Sequence, residues 1–450
     1  MDFLDYVREH SQEIIEETKA LLRIPSVLDK YDPKSDKPFG EGIYEALMHV
    51  LNRAKTDGFI TKNIRNYAAH IEYGEGEELL GILCHLDVVP PGDYWSHPPF
   101  QPIVKDGKLY ARGSNDDKGP TMAAYFALKF LKDLDVNLTK RVRIILGTDE
   151  ETAWRGIQEY FKTEEMPTIG FAPDASFPLI YGEKGIWTFD IEGIPSKESP
   201  LKTFKSGERY NVVPDYAECT LDINLQEAFS TFLKYHGFKG EYVEGKYIVH
   251  GKNAHAMQPY LGVNAAFILS RFLSEHIRDP FIDFIQQYLS FDCFGEKLKL
   301  DYKDKEMGDF TINAGIFEYA EGIAKIGVNC RYPNGFDLTK GQANVEQAAK
   351  KLGLTYQFKG DIPIHYVKPD DALIKTLMNA YQKITNDYES KPYTIGGGTY
   401  ARALDKAVAF GMTMPGRSDV AHQADEHIFI EDLIEATAIY MEAIYALCHD

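Results

Sequence analysis

The sequence predicts an α/β protein built from two domains. Three observations support this class. Apolar strands alternate with helical segments over the first 180 residues, as in a mainly parallel sheet that lies between helices. Alternating strands typical of antiparallel sheets follow from about residue 184, which indicates an inserted α+β domain. Helix and apolar strand return after about residue 370. We therefore expect one discontinuous domain, 1–183 with 370–450, and one insert, 184–369.

The first part of the chain supplies the elements of the parallel sheet. Apolar residues at helical spacing predict one helix over 3–23, which stops before Pro25, and a second over 41–57. Apolar runs predict three buried strands, and the long segment between the first two predicts a helix. In chain order these are "LLGILCHLDVV", "GPTMAAYFALKFLKDL", "RVRIILGTDEE" and "TIGFAPDA".

The segments after residue 184 have a different pattern. They alternate apolar and polar residues, and helices are predicted over 262–276 and 341–352. After residue 370, a helix and the apolar strand "AVAFGM" resume the earlier pattern. The alternating segments are "WTFDIEG", "AECTLDINL", "EYVEGKYIVHGK", "TINAGIFEY" and "AKIGVNCRYP".

Composition excludes several classes of partner and location. The net charge is −19, from 49 basic and 68 acidic residues, which argues against nucleic acid and against an anionic membrane surface. Five widely spaced cysteines without a C-x-x-C pair favour reduced cytosol. The acidic, amphipathic start and the absence of an 18-residue apolar run lead us to expect no signal peptide and no membrane span.

The first predicted strand carries two polar residues near its end, His85 and Asp87. Because side chains alternate along a strand, we expect both on one face. His85 alone fits a hydrogen-bonded core histidine. A carboxylate beside it also fits a metal-bound imidazole, whose orientation such a neighbour fixes, and carboxyl ends of parallel strands line ligand crevices.

Further carboxylates follow the next loops and strands: Asp116, Asp117, Glu150, Glu151 and Asp174. Each also fits a structural role, as a helix cap, a helix start or a turn residue. Their joint placement favours a metal site. One histidine with several carboxylates suits Zn²⁺ or Mn²⁺, and a carboxylate shared by two ligand sets is the two-metal pattern, with ions roughly 3.5 to 4 Å apart.

A second metal ion needs another histidine. The segment "RSDVAHQADEHI" offers His422 and His427, and His422 is the better candidate because it follows the apolar strand "AVAFGMTMPG" more closely.

Motifs spread over residues 80–426 resemble one known family. It is the di-metal aminopeptidase, carboxypeptidase and deacylase family that includes aminoacylases, acetylornithine deacetylases and carnosinases. The likeness is strongest to bacterial PepV-type dipeptidases, which cleave unblocked dipeptides, including β-alanyl ones. The first 70 residues carry no motif that we can match. The matching motifs, in the family's order, are "HLDVVPPGD", "ARGSNDDKGPTMAA", "GTDEE", "APDASFP", "GEKG", "RYNVVP", "GKNAHAMQP", "GGGTYAR" and "AHQADE".

The resemblance implies a set of metal ligands. Asp116 would bridge two ions, with a cis peptide bond to the next residue. His85 and Asp174 would complete one ion's ligands, and Glu151 and His422 would complete the other's.

The resemblance also implies catalytic and substrate-binding roles. Asp87 would orient the His85 ring, and Glu150 would be the general base that activates a metal-bridged water. In the inserted domain, which would act as a lid, His255 would stabilise the oxyanion. Without the family, a loop histidine would be the simpler interpretation. The residues implied to bind substrate are Asn211, Arg331, Gly397 and Gly398, with Arg331 on the terminal carboxylate. Without the family, Arg331 fits a surface strand residue and the glycines fit a flexible turn.

We therefore expect a cytoplasmic, monomeric dipeptidase with two divalent ions, Zn²⁺ or Mn²⁺, acting on dipeptides that include β-alanyl or Xaa-His types. The lid would have to close for catalysis, and its length would let one chain supply His255. An N-acyl amino-acid deacylase or desuccinylase on the same scaffold is the alternative. A non-catalytic peptide-binding relative is a further one, against which the retained Glu150 argues.

Overall fold

The computed structural model describes residues 2–449. Short helical turns lie at Pro259–Leu261, Ile285–Leu289, Glu296–Leu298 and Tyr400–Ala403. The α-helices are α1 (Phe3–Glu9), α2 (Ser11–Leu22), α3 (Glu41–Thr56), α4 (Lys118–Asp133), α5 (Arg155–Tyr160), α6 (Gln226–His236), α7 (Ala265–His276), α8 (Pro280–Phe284), α9 (Leu338–Lys351), α10 (Ala372–Thr385) and α11 (Ile430–Cys448). The strands are β1 (Ile60–Ile64), β2 (Ala68–Tyr73), β3 (Leu79–His85), β4 (Ile103–Lys105), β5 (Lys108–Tyr110), β6 (Arg141–Gly147), β7 (Ile169–Ala172), β8 (Ala175–Ser176), β9 (Ile180–Glu183), β10 (Gly185–Gly193), β11 (Leu201–Ser206), β12 (Tyr216–Leu221), β13 (Lys239–Val243), β14 (Lys246–His250), β15 (Thr311–Ala320), β16 (Ile323–Tyr332), β17 (Thr355–Ile362), β18 (His365–Tyr366), β19 (Tyr393–Ile395), β20 (Ala407–Ala409), β21 (Met412–Thr413) and β22 (His427–Phe429).

The chain forms two compact units. The first unit contains the chain up to Tyr181, the segment Tyr366–Tyr393 and the chain from Thr399 onwards. The second unit contains Gly182–His365 and the short segment Thr394–Gly398.

A mainly parallel sheet forms the centre of the first unit. Six of its nine strands run in the order β1-β2-β6-β3-β7-β20, and the last four of these are parallel to one another. β3 is buried along its whole length, as expected of a strand covered on both faces. Its register with β6 places His85 beside Gly147, so the polar residues that follow the two strands emerge at one edge.

Helix α4 packs against this sheet and against α11. Most of its residues are buried, as expected of a helix that is apolar on nearly every side. The packing fixes its first turn, directly after Asp116 and Asp117, close to the ends of the strands. Across residues 2–449, no helix combines the length and the apolar character that crossing a bilayer requires.

The second unit has a separate antiparallel sheet of eight strands. Their order is β13-β14-β12-β11-β15-β16-β10-β17, and a core of its own contains Trp187, Tyr247 and Phe272. In the β15–β16 pair, Thr311 lies opposite Arg331. The predicted fold class, with a mainly parallel sheet and a separate antiparallel one, is confirmed.

Two predicted elements differ from the structure. The helix over 3–23 is two helices, because His10 leaves helical geometry and caps α1 with its backbone N–H. The first buried strand ends at His85 and does not continue through Val89. At this point the Asp117 carboxylate accepts the backbone N–H of His85 at 2.9 Å. Asp87 lies beyond the end of the strand, so strand alternation does not determine the direction of its side chain.

Candidate active site

Two groups of metal-ligating side chains lie at the carboxyl edge of the parallel sheet, and they share Asp116. One group is His85, Asp116 and Asp174, and the other is Asp116, Glu151 and His422. Within each group, the ligand atoms lie within 4.8 Å of one another. The structure therefore brings together all five residues that the sequence analysis named as metal ligands.

Asp116 turns one carboxylate oxygen to each histidine. Its Oδ1 lies 3.0 Å from Nε2 of His85, and its Oδ2 lies 3.1 Å from Nε2 of His422. Nε2 of His85 is also 3.6 Å from Asp174, and Nε2 of His422 is 3.0 Å from Glu151. This is the arrangement of a bridging carboxylate between two sets of terminal ligands. The peptide bond between Asp116 and Asp117 is cis.

The His85 ring has the polarity of a metal ligand. Its Nδ1 lies 2.9 Å from the carbonyl oxygen of Asp87, and a carbonyl can only accept, so Nδ1 carries the proton of the neutral ring. Nε2 then presents a lone pair. That nitrogen is buried, and no residue in 2–449 forms a hydrogen bond with it. A lone pair that faces the oxygens of Asp116 and Asp174 is complementary to a cation.

The charges of the cluster also favour a bound cation. Burial and the charge of Asp116 raise the pKa of Asp174 to about 7. Burial also raises the pKa of Glu151. Hydrogen bonds to the carboxylates of Asp116 and Glu151 raise the pKa of His422 to about 10. The negative charges disfavour one another, and positive charge among them relieves the repulsion. The residues present therefore fit divalent cations.

Asp87 holds the loop of the two glutamates. Its Oδ1 and Oδ2 accept the backbone N–H groups of Glu150 and Glu151, each at 3.1 Å. Its carboxylate is 3.6 Å from Nδ1 of His85, whereas its carbonyl oxygen is at 2.9 Å. Asp87 thus orients the ring through its backbone and positions the glutamates through its side chain.

Asp149 closes the same loop and was missed by the sequence analysis. Its buried carboxylate accepts from Nε of Arg155 at 2.7 Å and from Nη2 at 2.6 Å. With the loop held at both ends, Glu151 joins a ligand group and Glu150 belongs to neither. Burial raises the pKa of Glu150 well above its ordinary value.

Ser26 supports the site from the N-terminal segment in which the sequence analysis found no motif. Its hydroxyl donates to the carbonyl of Leu86 at 2.6 Å, and its own carbonyl accepts the N–H of Val88 at 3.0 Å. The residues on either side of Asp87 are thereby fixed. A serine after Pro25 gives no sequence signal for such a contact.

Tyr400 is a further missed residue of the first unit. Its ring meets those of His85 and Trp154 edge-on, with centroids 6.0 and 5.1 Å apart. Its buried hydroxyl has no hydrogen-bond partner within the described part of the chain. A side chain on Gly147 would collide with that hydroxyl, which explains the glycine there.

The second candidate histidine, His427, lies elsewhere. Its Nδ1 is 2.9 Å from the carbonyl oxygen of Asp425, and its ring packs on Tyr110. It belongs to neither ligand group, so the structure favours His422, as the sequence analysis did.

In the second unit, Asn211 and His255 are neighbours. Val212 pairs with His255 as an isolated bridge, and the N–H of Ala256 donates to the carbonyl of Asn211 at 2.9 Å. The N–H of Met257 donates to Nδ1 of His255 at 3.2 Å. Loss of solvation and the charge of Arg331 lower the pKa of His255, which favours a neutral ring.

Arg331 contacts the glycine run in the same unit. Its Nε donates to Asn329 Oδ1 at 2.9 Å and its Nη1 to the carbonyl of Gly396 at 3.1 Å. A Cβ on Gly396 would lie 3.0 Å from that of Met257, which links the run Gly396–Gly398 to the loop of His255. These predicted substrate-binding residues therefore lie together.

Lys184, in the motif "GEKG", adds a second buried cation. It donates to the carbonyl of Asp309, and burial, together with a smaller effect of the Arg331 charge, lowers its pKa to about 8. Lys184 and Arg331 are each 5% exposed. The second unit thus carries a cationic cluster, in contrast to the acidic cluster of the first.

The sequence matches Peptidase family M20/M25/M40 over residues 81–446, and the chain belongs to this family of metal-dependent peptidases, which is dimetal-dependent. The resemblance drawn from the motifs is confirmed. The chain is 44% identical to a protein of Staphylococcus epidermidis named "Putative dipeptidase", and the match covers 98% of each. A Staphylococcus aureus protein with the same description is 43% identical over 98% of each chain.

Solved structures share the fold at low identity. Human carnosine dipeptidase 1 has a TM-score of 0.58 at 14% identity, over 99% of both chains. An aminoacylhistidine dipeptidase from Vibrio alginolyticus has a TM-score of 0.59 at 13% identity, over 97% of this chain and 96% of that one.

Proposed function

We propose that the protein is a metal-dependent dipeptidase that hydrolyses the peptide bond of unblocked dipeptides, including β-alanyl and Xaa-His types. Family membership supports peptide hydrolysis. The staphylococcal relatives, 43 and 44% identical over nearly the whole chain, carry the name of a dipeptidase.

One observation carries the proposal. The two ligand groups share Asp116, and Glu150 stands beside them without belonging to either. Metal binding alone would use the ligands and would not need a held, buried carboxylate next to them.

The residues that would hold the ions are the two ligand groups. His85 and Asp174 would bind one ion, Glu151 and His422 the other, and Asp116 both. Histidine with carboxylates suits Zn²⁺, and a site this rich in carboxylates suits Mn²⁺ as well. Such ions, when bound, make water acidic enough to be deprotonated near neutral pH and polarise a carbonyl.

Glu150 would act as general base and then as general acid. Its backbone N–H is held by Asp87 at 3.1 Å, and burial raises its pKa, which brings a carboxyl group closer to the working pH of proton transfer. It would take a proton from the attacking water and return that proton to the leaving amine.

His255 would donate to the oxyanion that forms on the scissile carbonyl. Because Met257 donates to Nδ1, the proton of the neutral ring lies on Nε2. That N–H is a donor which needs no rearrangement at the moment of reaction.

Arg331 would bind the terminal carboxylate of the dipeptide. Its contacts to Asn329 and Gly396 fix the orientation of the planar guanidinium group. Such a fixed fork of N–H donors suits a carboxylate. Asn211, Gly397 and Gly398 would form the rest of the substrate wall.

We also propose that 184–369 is an inserted lid in a catalytic domain formed by 1–183 and 370–450, and that the enzyme is monomeric. Residues from both domains would then act within one chain. Mixing a Glu150→Gln variant with a His255→Ala variant should restore no activity, and sedimentation should give one species of about 51.0 kDa. Restored activity in the mixture, together with an obligate dimer in sedimentation, would contradict the proposed monomeric state.

We place the protein in the cytoplasm because all five of its cysteines are free thiols, which suits a reducing compartment. Fractionation of the source cells tests this, with recovery outside the cytosolic fraction as the contrary result.

A dipeptide panel on the metal-stripped protein tests the function. Zn²⁺, Mn²⁺ and Co²⁺ are restored separately, and each free dipeptide is paired with its N-acetylated form and with an N-acetyl amino acid. We expect hydrolysis of the free dipeptides only after an ion is restored. Preference for the N-acetyl amino acids would instead show a deacylase.

A further inference from the structure

Glu426 is a buried carboxylate with no role in the proposed catalytic mechanism. It is 0% exposed, and its two oxygens accept four hydrogen bonds. Oε1 accepts the backbone N–H groups of Asn115 at 2.8 Å and Asp116 at 3.1 Å. Oε2 accepts the N–H of Gly113 at 3.1 Å and Nη1 of Arg112 at 2.5 Å.

These contacts join the two chain segments that carry the shared ligand and the second histidine. The N–H groups belong to the loop that ends at Asp116, and Glu426 itself follows His422 by four residues. The backbone of Glu426 adds a further link, since its carbonyl accepts the N–H of Ala111 at 3.1 Å. A single side chain therefore fixes the loop of Asp116 to the segment of His422, although more than 300 residues separate them in sequence.

Arg112 offers a competing explanation for Glu426. The guanidinium is 1% exposed, donates to the carbonyl of Pro91 at 3.3 Å and lies over the ring of Trp95. A buried charge needs a partner, so Glu426 could serve only to neutralise Arg112. Pairing does not require the three backbone contacts, however, and a carboxylate bound only for charge has no reason to hold the N–H of Asp116.

We propose that Glu426 is a positioning residue for the metal centre: by holding the N–H groups of Asn115 and Asp116, it sets the Asp116 carboxylate between His85 and His422. This inference rests on the proposed function, in which Asp116 binds both ions. Glu426 would touch neither ion nor substrate. Loss of an outer partner of this kind typically weakens metal affinity by about 10- to 100-fold.

The test measures Mn²⁺ binding by titration calorimetry on the metal-stripped protein, without substrate. The main variant is Arg112→Met with Glu426→Met, which removes both charges of the pair together, so that neither remains buried without the other. We expect it to fold, by circular dichroism and thermal midpoint, and to bind Mn²⁺ about 10- to 100-fold more weakly than the unaltered chain. If this variant does not fold, Arg112→Gln with Glu426→Leu takes its place with the same expected loss, because leucine has no acceptor for the N–H groups of Asn115 and Asp116.

Two controls separate positioning from charge pairing. Arg112→Gln keeps Glu426 and a neutral donor to it, and we expect nearly unaltered Mn²⁺ affinity. Glu431→Met makes the same change at an exposed glutamate that pairs with Arg8, and we expect no effect.

A folded double variant with unaltered Mn²⁺ affinity overturns the inference. An equal loss in Arg112→Gln also overturns it, because Glu426 would then act only as the partner of Arg112. Failure of the unaltered chain to bind Mn²⁺, and Zn²⁺ titrated in the same way, is a different result, since it overturns the proposed function itself.

Discussion

The candidate sites of the two units have opposite charge. In the first unit, Asp116, Glu151 and Asp174 surround two histidines, and a further glutamate stands beside them. In the second unit, Lys184 and Arg331 are both buried, and the charge of Arg331 acts on His255 as well as on Lys184. The acidic cluster suits cations, and the cationic cluster suits the carboxylate end of a peptide. Under the proposed function, this difference assigns metal and proton-transfer chemistry to the first unit and carboxylate recognition to the second, where His255 adds an oxyanion donor. Loss of Glu150 or His255 should therefore lower kcat, whereas loss of Arg331 should weaken recognition of the substrate.

The largest effect should come from Glu150→Gln in the first unit. The variant keeps every metal ligand but loses the base, so we expect kcat to fall by about 10²- to 10⁴-fold with two ions still bound. Metal content by elemental analysis is the control. A metal-loaded variant with full activity would remove Glu150 from the mechanism.

His255→Ala should have the next largest effect. Removing one oxyanion donor typically lowers kcat by about 10²- to 10³-fold, and we expect little change in KM because the donor acts on the transition state. His250→Ala, at a histidine 47% exposed in the same unit, is the matched control. A loss confined to KM would assign His255 to substrate binding instead.

Arg331→Met should weaken recognition of the free carboxylate. A charged hydrogen bond contributes about 1.5 to 3 kcal/mol, so we expect kcat/KM for a free dipeptide to fall by about 10- to 100-fold. The corresponding dipeptide amide, which lacks the charge, should be cleaved equally by both proteins. If the amide suffers the same loss, the role of Arg331 is structural.

The smallest expected effect concerns His70, a buried histidine of the first unit that is not a metal ligand. It should make folding of that unit sensitive to acid. Burial lowers the pKa of His70 from 6.5 to about 4, so the unfolded chain binds more protons between those values. The contribution of His70 to the free energy of unfolding is therefore fully present above pH 6.5. It is lost as pH falls towards 4, by at most about 3 kcal/mol. Denaturant unfolding of the stripped protein should show a shallower loss in His70→Gln. An identical pH dependence would contradict the shift.

Sequence reasoning worked best where function follows secondary structure. His85 ends a buried strand, and Glu151 and Asp174 follow within four residues of the ends of two others. Parallel strands bring their carboxyl ends to one edge of a sheet. The acidic residues at these ends are therefore sufficient to predict a cluster. Arg331 and His255 gave no such pattern, and only the family motifs pointed to them.

Two residues that sequence reasoning missed, Glu426 and Ser26, act through backbone contacts over long separations. Glu426 accepts the N–H of Gly113, 313 residues away, and Ser26 contacts Leu86, 60 residues away, and the N–H of Val88. Any acceptor in the right place can make such contacts, so neither residue type nor spacing reveals them. The break between α1 and α2 escaped for a related reason, because apolar periodicity continues across His10.

The most direct test of the account is anomalous scattering from crystals loaded with Mn²⁺ or Zn²⁺. We expect two peaks, one among His85, Asp116 and Asp174 and the other among Asp116, Glu151 and His422, with Glu150 bound to neither ion. A single peak, peaks away from Asp116, or direct ligation by Glu150 would contradict it.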